Sequence, residues 1–406
     1  MTGWVLVGLV LGRQAPDLPV RVDLRNTYAQ YHLTVGNQSG PLCWDYTLIG
    51  LAEYELATQR HEATRLSPGF LSWAATATDS ESAAGSNFGR AYRGLTKYGL
   101  APLDLGGNPD SKGQGQSPDG PTLRAAADVG RFDFHWIRFW DTKEELSDEQ
   151  LEAIESEVAD GHPVAVGLRW PNQTSFSSAP SFMLKVPART EIHDGHCVAL
   201  VGYVRDQSIP GGGAFLFRNS WGENWADHGY AWMPFGMLRF CINDALSLRL
   251  WRPLSPGGSE TQTYDAPKLK VEAVHGSSPS AQDMTGFGPS WGESRQLFFA
   301  AKEAGQGFTL DVPVEKEATY ELRLIVTRAP DYGIFKVEVA GTEPLTVPIT
   351  IDGAGPGVSR SNPIPCGRYR LKAGTNQIVF TVIGKGPASS GESLGIDSIE
   401  LVPVSE

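Results

Sequence analysis

The stretch Gln38-Ser39-Gly40-Pro41-Leu42-Cys43-Trp44 marks a break in the chain that is followed by the start of a helix. Gly40 and Pro41 disfavour regular structure immediately before Cys43. From there on, large apolar residues recur at the spacing of one helical face: Trp44, Leu48, Leu51 and Tyr54. The sequence therefore places Cys43 in the first turn of a buried helix, where backbone N–H groups and the helix dipole stabilise a thiolate. Such a cysteine is a nucleophile if a base can reach it, and a structural core residue if none can.

Length and composition limit the classes of protein to which the chain can belong. Its 406 residues predict two or three domains and a sizeable core, at roughly 150 residues a domain. The formal net charge of −12 argues against a nucleic-acid partner, because no surplus of Lys and Arg is present to neutralise phosphates. Four cysteines are too few for a disulfide framework, and the sequence leaves Cys197 and Cys241 either as free thiols or as a pair.

The N-terminal run from Trp4 to Leu11 is apolar over eight residues, which is too short to span a bilayer. It fits the apolar part of a secretory signal, although no Lys or Arg precedes it, and the alternative is a buried N-terminal strand. We therefore expect a secreted or cell-surface protein without a membrane span, with a cytoplasmic location as the alternative.

The residue pattern changes along the chain from helical to β. Ser67-Pro68 and the capping box Ser147–Gln150 predict helix starts in the first part. Three buried strands are predicted further on: Pro163–Leu168, Cys197–Tyr203 and Ala214–Phe217. The predicted division is 1–20 as a signal or leading segment, 21–252 as a first domain, 253–264 as a linker and 265–406 as a second domain.

Residues 265–406 show the pattern of short antiparallel strands. Apolar residues alternate in runs that begin at Phe308, Tyr320, Phe335 and Ile378. Turn residues separate these runs, and no persuasive helical pattern interrupts them. Regular short strands of this kind predict an all-β sandwich.

A thiolate at Cys43 needs a base, and the base needs a group that orients it. His196 opens the predicted strand Cys197–Tyr203, and Asn219 ends the predicted strand that begins at Ala214. Because both lie at strand ends, the Asn219 amide oxygen can accept from one ring N–H of His196 and fix the tautomer that faces the sulfur.

Two further residues complete a site for acyl transfer. Trp221 can lie over the hydrogen bond between His196 and Asn219 and exclude water from it. Gln38 offers a side-chain N–H beside Cys43, whose own backbone N–H is a second donor for an oxyanion. Each residue alone has a structural explanation, so the prediction depends on their occurring together and in this order.

Three motifs resemble those of the papain family of cysteine peptidases. They are Cys43-Trp44, the segment Gly195–Tyr203 with His196, and the segment Arg218–Trp225 with Asn219-Ser220-Trp221-Gly222. The resemblance covers roughly residues 20–250 and implies an α+β domain of two lobes, one helical and one β-barrel-like. It implies these roles: Cys43 as nucleophile, His196 as general base and acid, Asn219 as orienting residue, Gln38 as oxyanion donor, Trp221 as shield and Trp44 in support.

The chain departs from the papain pattern close to Cys43. Pro41-Leu42 stands where the family has a disulfide-forming cysteine, and Gln38 precedes Cys43 by five residues where six are more usual. Asp45 stands where a small residue is common, and a buried carboxyl group there needs a partner. Cys43 and His196 are 153 residues apart, near the ~130–150 of the papain pattern.

The second domain resembles the jelly-roll, galactose-binding-like modules that are appended to secreted bacterial enzymes. Ala329-Pro330-Asp331-Tyr332-Gly333 and the segment from Gly384 to Asp397 carry this resemblance. It implies a carbohydrate-binding module in which Trp291 and Tyr332 stack on a sugar, or a purely structural module in which both rings are core residues. Asp397 is then a ligand of structural calcium or a turn-capping residue.

The leading interpretation is an endopeptidase that hydrolyses protein or peptide substrates through a Cys43 acyl-enzyme, as a monomer, with a second domain that targets it to a glycan. The shortened spacing from Gln38 to Cys43 favours the alternative of a catalytically weak scaffold for binding or adhesion. A transpeptidase would use the same site and pass the acyl group to an amine. A metal pair of His193 and His196 is disfavoured because no second cysteine pair lies nearby, so no metal or cofactor is expected in the first domain.

Overall fold

The computed structural model describes residues 18–38, 40–78, 87–108, 115–171, 174–177, 182–251, 261–287, 291–342, 350–361 and 363–404. The apolar run Trp4–Leu11 lies outside these residues, and so does most of the predicted linker 253–264. None of the helices in the described ranges is long and apolar enough to cross a membrane.

Helices form most of the regular structure before residue 130. The helices of the described chain are α1 (Arg25–Gln30), α2 (Cys43–Arg60), α3 (Pro68–Ala77), α4 (Asn87–Tyr98), α5 (Leu103–Gly106), α6 (Gly120–Val129), α7 (Asp148–Ala159) and α8 (Phe235–Cys241). The 18-residue helix α2 begins at Cys43, as its apolar face predicted. Both predicted caps are confirmed: Ser67 Oγ accepts from the backbone N–H of Phe70, and Ser147 and Gln150 form a reciprocal capping box.

An antiparallel sheet forms the other lobe of the first domain. Its strands are β1 (Arg21–Asp23), β2 (Arg131–Arg138), β3 (Val164–Pro171), β4 (Ile192–Arg205), β5 (Gly213–Arg218), β6 (Tyr230–Pro234) and β7 (Ile242–Trp251). The order is β2-β7-β3-β4-β5-β6, with β1 paired to β4. One face packs against α2 and the other against α7 and α8, so the sheet lies between two apolar cores. Burial on both faces explains why the central strands are apolar without alternation.

The second domain is an all-β sandwich, as the alternating runs predicted. Its strands are β8 (Gln262–Asp265), β9 (Lys270–His275), β10 (Ser280–Asp283), β11 (Arg295–Phe299), β12 (Gly307–Val314), β13 (Ala318–Arg328), β14 (Ile334–Val339), β15 (Thr350–Asp352), β16 (Ser359–Arg360), β17 (Ile364–Leu371), β18 (Gly374–Gly384) and β19 (Leu394–Pro403). One sheet has the order β10-β11-β19-β13-β16, with β17 on β13 and β8 on β19, and the other has β15-β14-β18-β12-β9. Apolar residues of both sheets, among them Leu324 and Phe380, share one core.

The linker ends earlier than the sequence suggested. Strand β8 begins at Gln262, inside the predicted linker, and its residues pair with β19. The Ser, Gly and Pro residues that predicted a linker lie before this strand, whereas Gln262 to Tyr264 contain neither Gly nor Pro. The described part of the sandwich therefore starts with an edge strand rather than with a free segment.

The residues expected to bind sugar or calcium are held inside the sandwich. Trp291 and Tyr332 are each 5% exposed, and Trp291 Nε1 donates to Thr327 Oγ1 at 2.7 Å. Neither ring offers a face to a sugar, so the stacking role is wrong and the core role is right. Asp397 accepts two hydrogen bonds from Arg360, at 2.8 and 2.9 Å. This guanidinium neutralises the carboxylate, which disfavours calcium ligation. The other carboxylate oxygen, Oδ1, accepts from the Gly292 backbone N–H at 2.8 Å, at the start of the short turn Gly292–Ser294, which agrees with a turn-capping residue.

Polar side chains join the two domains. His135 Nδ1 on β2 lies 2.8 Å from Glu157 Oε1 of α7, and Nε2 lies 3.5 Å from Asp352 Oδ2 of the sandwich. Burial lowers the pKa of His135, but the hydrogen bond and charge of Glu157 outweigh burial and leave this pKa raised. The hydroxyl groups of Tyr92 and Ser359 form a second contact, at 3.4 Å.

Candidate active site

Cys43 occupies the first position of α2, where the helical lobe meets the sheet. Gly40 has a φ of 84°, in the left-handed region that glycine favours, and its carbonyl accepts from the Leu42 N–H at 2.9 Å. Leu42 at the N-cap provides no side-chain acceptor. The first backbone N–H groups of the helix and its positive dipole end therefore act on Cys43.

His196 lies between the sulfur of Cys43 and the amide of Asn219. Its Nε2 is 2.9 Å from Asn219 Oδ1. Because an amide oxygen can only accept, Nε2 carries a proton, and the other ring nitrogen is left for Cys43, to which His196 is hydrogen-bonded. The same Oδ1 accepts from the Ser220 backbone N–H at 2.8 Å, which holds the amide in this orientation.

Two tryptophans enclose the ring of His196. Trp221 stacks on it, with ring centroids 4.7 Å apart and 23° between the planes. Trp170 of β3 meets the same ring edge-on, at 4.9 Å and 66°. Nothing in the local sequence marks Trp170, because its contact with His196 depends on how β3 pairs with β4.

The surroundings of Cys43 favour its thiolate. The sulfur accepts hydrogen bonds from the Cys197 thiol, from His196 and from the Cys197 backbone N–H, and the charge of His196 adds to these. Burial opposes them but is outweighed, so the pKa of Cys43 falls to about 4. As the donor to this thiolate, Cys197 has a pKa raised well above that of an ordinary thiol. At neutral pH the pair is therefore one thiolate and one thiol.

Gln38 lies at the edge of the site and is held by the segment after Asn219. Its Oε1 accepts from Ser220 Oγ at 2.5 Å, and its backbone N–H donates to the Ser220 carbonyl at 2.8 Å. Its Nε2 donates to the Gly40 carbonyl at 2.7 Å. An amide nitrogen carries two hydrogens, so the second N–H can point at an oxyanion while the first holds Gly40.

The two residues after Cys43 support the helix from within the core. Trp44 is 7% exposed and packs in the core between α2 and the sheet. Asp45 is fully buried, and burial together with the nearby charge of Cys43 raises its pKa well above the usual range, while Ser72 opposes this rise. This shift favours the uncharged acid form of Asp45, which suits a buried carboxyl group.

A cavity of about 540 Å³ opens beside Cys43. The helical lobe contributes Phe88, and the other lobe contributes Trp140 and Asp244. Gly167 forms part of the wall, and a Cβ there would lie 2.0 Å from Asp244 Oδ1, so any larger residue would have to displace this carboxylate. The volume is suited to a ligand of the size of a few amino-acid side chains.

The described residues hold no cluster of three or more His, Cys, Asp and Glu side chains that could share a metal ion. The side chain of His193, the other member of the disfavoured metal pair with His196, lies outside the described part of the chain. All four cysteines are free thiols. Cys197 and Cys241 lie in cores on opposite faces of the sheet, so the pairing that the sequence left open between them is wrong.

The fold and this arrangement define a protein of the cysteine-protease class. A family model described as papain family cysteine protease matches residues 18–246. The chain belongs to this family, and the resemblance of its motifs is thereby confirmed. No curated protein sequence matches it.

Solved structures of cysteine proteases are similar to the chain at low sequence identity. Xylellain from Xylella fastidiosa is 20% identical, with a TM-score of 0.43, over 58% of this chain and 87% of that chain. Procathepsin L 3 of Tenebrio molitor is 21% identical, with a TM-score of 0.43, over 58% of this chain and 72% of that chain.

Among the similar solved structures are some that cover both domains. One of them contains the cysteine protease and lectin-like domains of Cwp84, a surface layer associated protein of Clostridium difficile. It is 13% identical, with a TM-score of 0.50, over 96% of this chain and 89% of that chain. At this identity the likeness concerns the fold, and it extends across the protease part and the β-rich part alike.

Proposed function

We propose that the chain is an endopeptidase that hydrolyses peptide bonds in protein substrates through an acyl-enzyme on Cys43. The observation that carries the proposal is the position of His196, which lines the same cavity as Cys43 and whose Nε2 lies 2.9 Å from Asn219 Oδ1. A thiolate that is stable at neutral pH attacks a carbonyl carbon without first losing a proton.

The first half of the reaction forms the acyl-enzyme. The Cys43 thiolate attacks the peptide carbonyl, and the developing oxyanion is received by the Cys43 backbone N–H and by the second N–H of Gln38 Nε2. His196, protonated and oriented by Asn219, then gives its proton to the leaving amine.

The second half releases the acyl group to water. His196, now neutral, takes a proton from the attacking water and returns it as the Cys43 sulfur leaves. The stacked ring of Trp221 and the edge of Trp170 exclude solvent from the hydrogen bond between His196 and Asn219, which strengthens that bond.

An internally quenched peptide with both termini blocked tests this proposal, because only an endopeptidase cleaves it. We expect Cys43→Ala to abolish turnover. Cys241→Ala is the matched control, since it removes a buried thiol from the core on the other face of the sheet. Turnover that survives in Cys43→Ala would show that the nucleophile is misassigned.

A catalytically weak binding scaffold is the second candidate, and the contact of Gln38 with Gly40 favours it. That contact engages one of the two Nε2 hydrogens and fixes where the other can point. In an active enzyme Gln38→Ala should lower kcat about 10²-fold or more, as the loss of an oxyanion donor does. Slow wild-type turnover that Gln38→Ala leaves unchanged would favour the scaffold.

A transpeptidase differs from a peptidase only in what accepts the acyl group. Adding a competing amine, such as a glycine peptide, to the cleavage reaction distinguishes the two. We expect free carboxylate products to dominate. A dominant amide product would show that the enzyme is a transpeptidase rather than a hydrolase.

We propose that the β-sandwich is a jelly-roll module that attaches the enzyme to a carbohydrate surface outside the cell. Its support is the fold likeness to a surface layer associated protease with a lectin-like domain. Because Trp291 and Tyr332 are buried, sugar contacts would fall to other side chains. Chromatography of the full-length Cys43→Ala protein on immobilised cell-wall polysaccharide tests this role, and we expect the protein to be retained. If it elutes with the void volume on every polysaccharide tried, the module has a purely structural role.

A further inference from the structure

Cys197 is a second thiol in the same cavity as Cys43. It directly follows His196 on β4, and both cysteines line the cavity. Cys43 is 9% exposed and Cys197 8% exposed, and both are free thiols. Both thiols line one cavity and belong to one apolar core, and each acts on the pKa of the other, so they lie close together. Hydrolysis as proposed uses only Cys43.

The packing of α2 on the sheet brings the two sulfur atoms together. Cys43 starts the helix, Cys197 faces it from β4, and both belong to one apolar core. Opposite Cys197 in the ladder lies Gly167, and the carboxylate of Asp244 fills the space beside that glycine. The negative charge of Asp244 helps to keep Cys197 protonated while Cys43 is a thiolate.

We propose that Cys43 and Cys197 form a reversible disulfide when the enzyme meets hydrogen peroxide, and that this bond holds the nucleophile in a recoverable form. The proposal rests on Cys43 being the reactive thiolate of the proposed function and on no particular substrate. Cys197 acts as the resolving thiol.

The first step oxidises Cys43. Its thiolate attacks one oxygen of the peroxide, so that an S–O bond forms and the O–O bond breaks, and the departing hydroxide takes the proton of His196 and leaves as water, which leaves His196 neutral. Cys43 becomes a sulfenic acid. The negative charge on its sulfur is lost, and His196 no longer has an anionic partner.

The second step closes the disulfide. Cys197 transfers its proton to His196 and its sulfur attacks the sulfur of the sulfenic acid, so that the S–S bond forms and the S–O bond breaks. The departing hydroxide takes the proton back from His196 and leaves as water. In total, two thiols and one hydrogen peroxide give one disulfide and two waters.

Cys241 and Cys366 cannot form a disulfide with Cys43 while the chain is folded. Cys241 lies in the core on the opposite face of the sheet, and Cys366 lies inside the β-sandwich. Without a neighbouring thiol, a sulfenic acid is oxidised further to a sulfinic acid, which thiol reductants do not reverse. Cys197 therefore decides whether oxidation of Cys43 is reversible.

The test compares the full-length wild type with Cys197→Ala, and with Cys241→Ala as a control that also loses one buried thiol. Each protein is exposed to hydrogen peroxide, its remaining thiols are blocked, and its intact mass and peptide map are recorded without reduction. Dithiothreitol is then added, and the recovered Cys43 thiol is measured by iodoacetamide alkylation.

We expect the wild type and Cys241→Ala to lose two hydrogen atoms, to yield a peptide linked through Cys43 and Cys197, and to recover alkylation after reduction. Cys197→Ala should gain oxygen atoms at Cys43 and recover about fivefold less. Equal recovery in Cys197→Ala and the wild type, or a wild type without the linked peptide, overturns the proposal. If Cys197→Ala does not fold, Cys197→Ser takes its place in the comparison. If neither variant folds, the presence or absence of the linked peptide in the wild type decides the test.

These readouts separate the disulfide from the peptidase. Mass and alkylation need no substrate, so a chain with a reactive Cys43 and no turnover still gives a result. A chain with turnover and no linked peptide keeps the proposed function and loses the disulfide.

Discussion

Two buried cysteines at opposite helix ends show how their surroundings decide the reactivity of a thiol. Cys43 starts α2, and its pKa is lowered to about 4, whereas Cys241 ends α8, and its pKa is raised to about 12. Burial raises the pKa of both. At Cys43 three hydrogen-bond donors outweigh it, whereas Cys241 has only the weaker charges of Arg169 and Arg189 against it.

The dipole of each helix shifts the pKa of its cysteine in the same direction as these contacts do. The first turn of α2 presents N–H groups to Cys43, which favours a thiolate, and the last turn of α8 presents carbonyl groups to Cys241, which favours a thiol. Burial alone therefore does not make a core cysteine inert. Such a cysteine is inert when nothing nearby can donate to its sulfur.

After removal of the nucleophile itself, removal of His196 should give the largest effect, because it takes from Cys43 both a donor and a positive charge. We expect His196→Ala to lower kcat/KM by about 10³-fold or more. Peptide cleavage measures this loss, with His275→Ala in the β-sandwich as the control. A fall of less than about tenfold would show that His196 is not the general base.

Removal of Asn219 should have a smaller effect, because Asn219 is a positioning residue that acts through His196. A lost hydrogen bond to a charged ring corresponds to about 10- to 100-fold in kcat/KM. Asn219→Asp keeps an acceptor and should retain more activity than Asn219→Ala. Equal losses in Asn219→Ala and His196→Ala, or no difference between the two Asn219 variants, would contradict the orienting role.

The two aromatic neighbours of His196 should differ from each other. Trp221 stacks on the ring and Trp170 only touches its edge, so Trp221→Leu should reduce kcat/KM more than Trp170→Leu does. An aromatic contact of this size corresponds to about 2- to 10-fold. Steady-state kinetics of the two variants measure the order, and the reverse order would mean that Trp221 does not shield the hydrogen bond.

Cys241→Ala should have the smallest effect on activity and a measurable effect on stability. It removes one sulfur atom from a fully packed core, so the free energy of unfolding should fall by about 1 kcal/mol. Urea unfolding measures this change, and kcat/KM should stay within about twofold of the wild type. A large loss of activity would mean that the two cysteines are not independent.

Local signals in the sequence predicted most of the site. The predicted strand start at His196 is wrong, because β4 already begins at Ile192 and His196 lies inside it. The helix start at Cys43 follows from Gly40, Pro41 and the apolar face after it, and the strand end before Asn219 follows from the apolar run beside it. Each of these features is encoded by residues next to it in the chain, which is why a single sequence was sufficient.

Contacts between distant strands could not be predicted in the same way. Trp170 reaches His196 only because β3 and β4 pair in one particular register, and Asp244 reaches Gly167 only through the pairing of β3 with β7. An aromatic ring in a strand has the same local pattern whether it faces a ligand or a core, so the sequence left Trp291 and Tyr332 ambiguous and only their burial decides.

The most direct test of this comparison is the pH dependence of iodoacetamide alkylation at Cys43 and Cys241 in the same sample, followed by mass spectrometry. A lowered pKa means that the thiolate persists at every pH above about 4 and is lost as the pH falls through that value. We expect Cys43 to react at a nearly constant rate from about pH 5 to pH 8, and Cys241 to stay unmodified until the chain unfolds. A Cys43 that reacts only near the ~8.5 of a free thiol, with or without His196, would contradict a resting thiolate stabilised by His196 and Cys197.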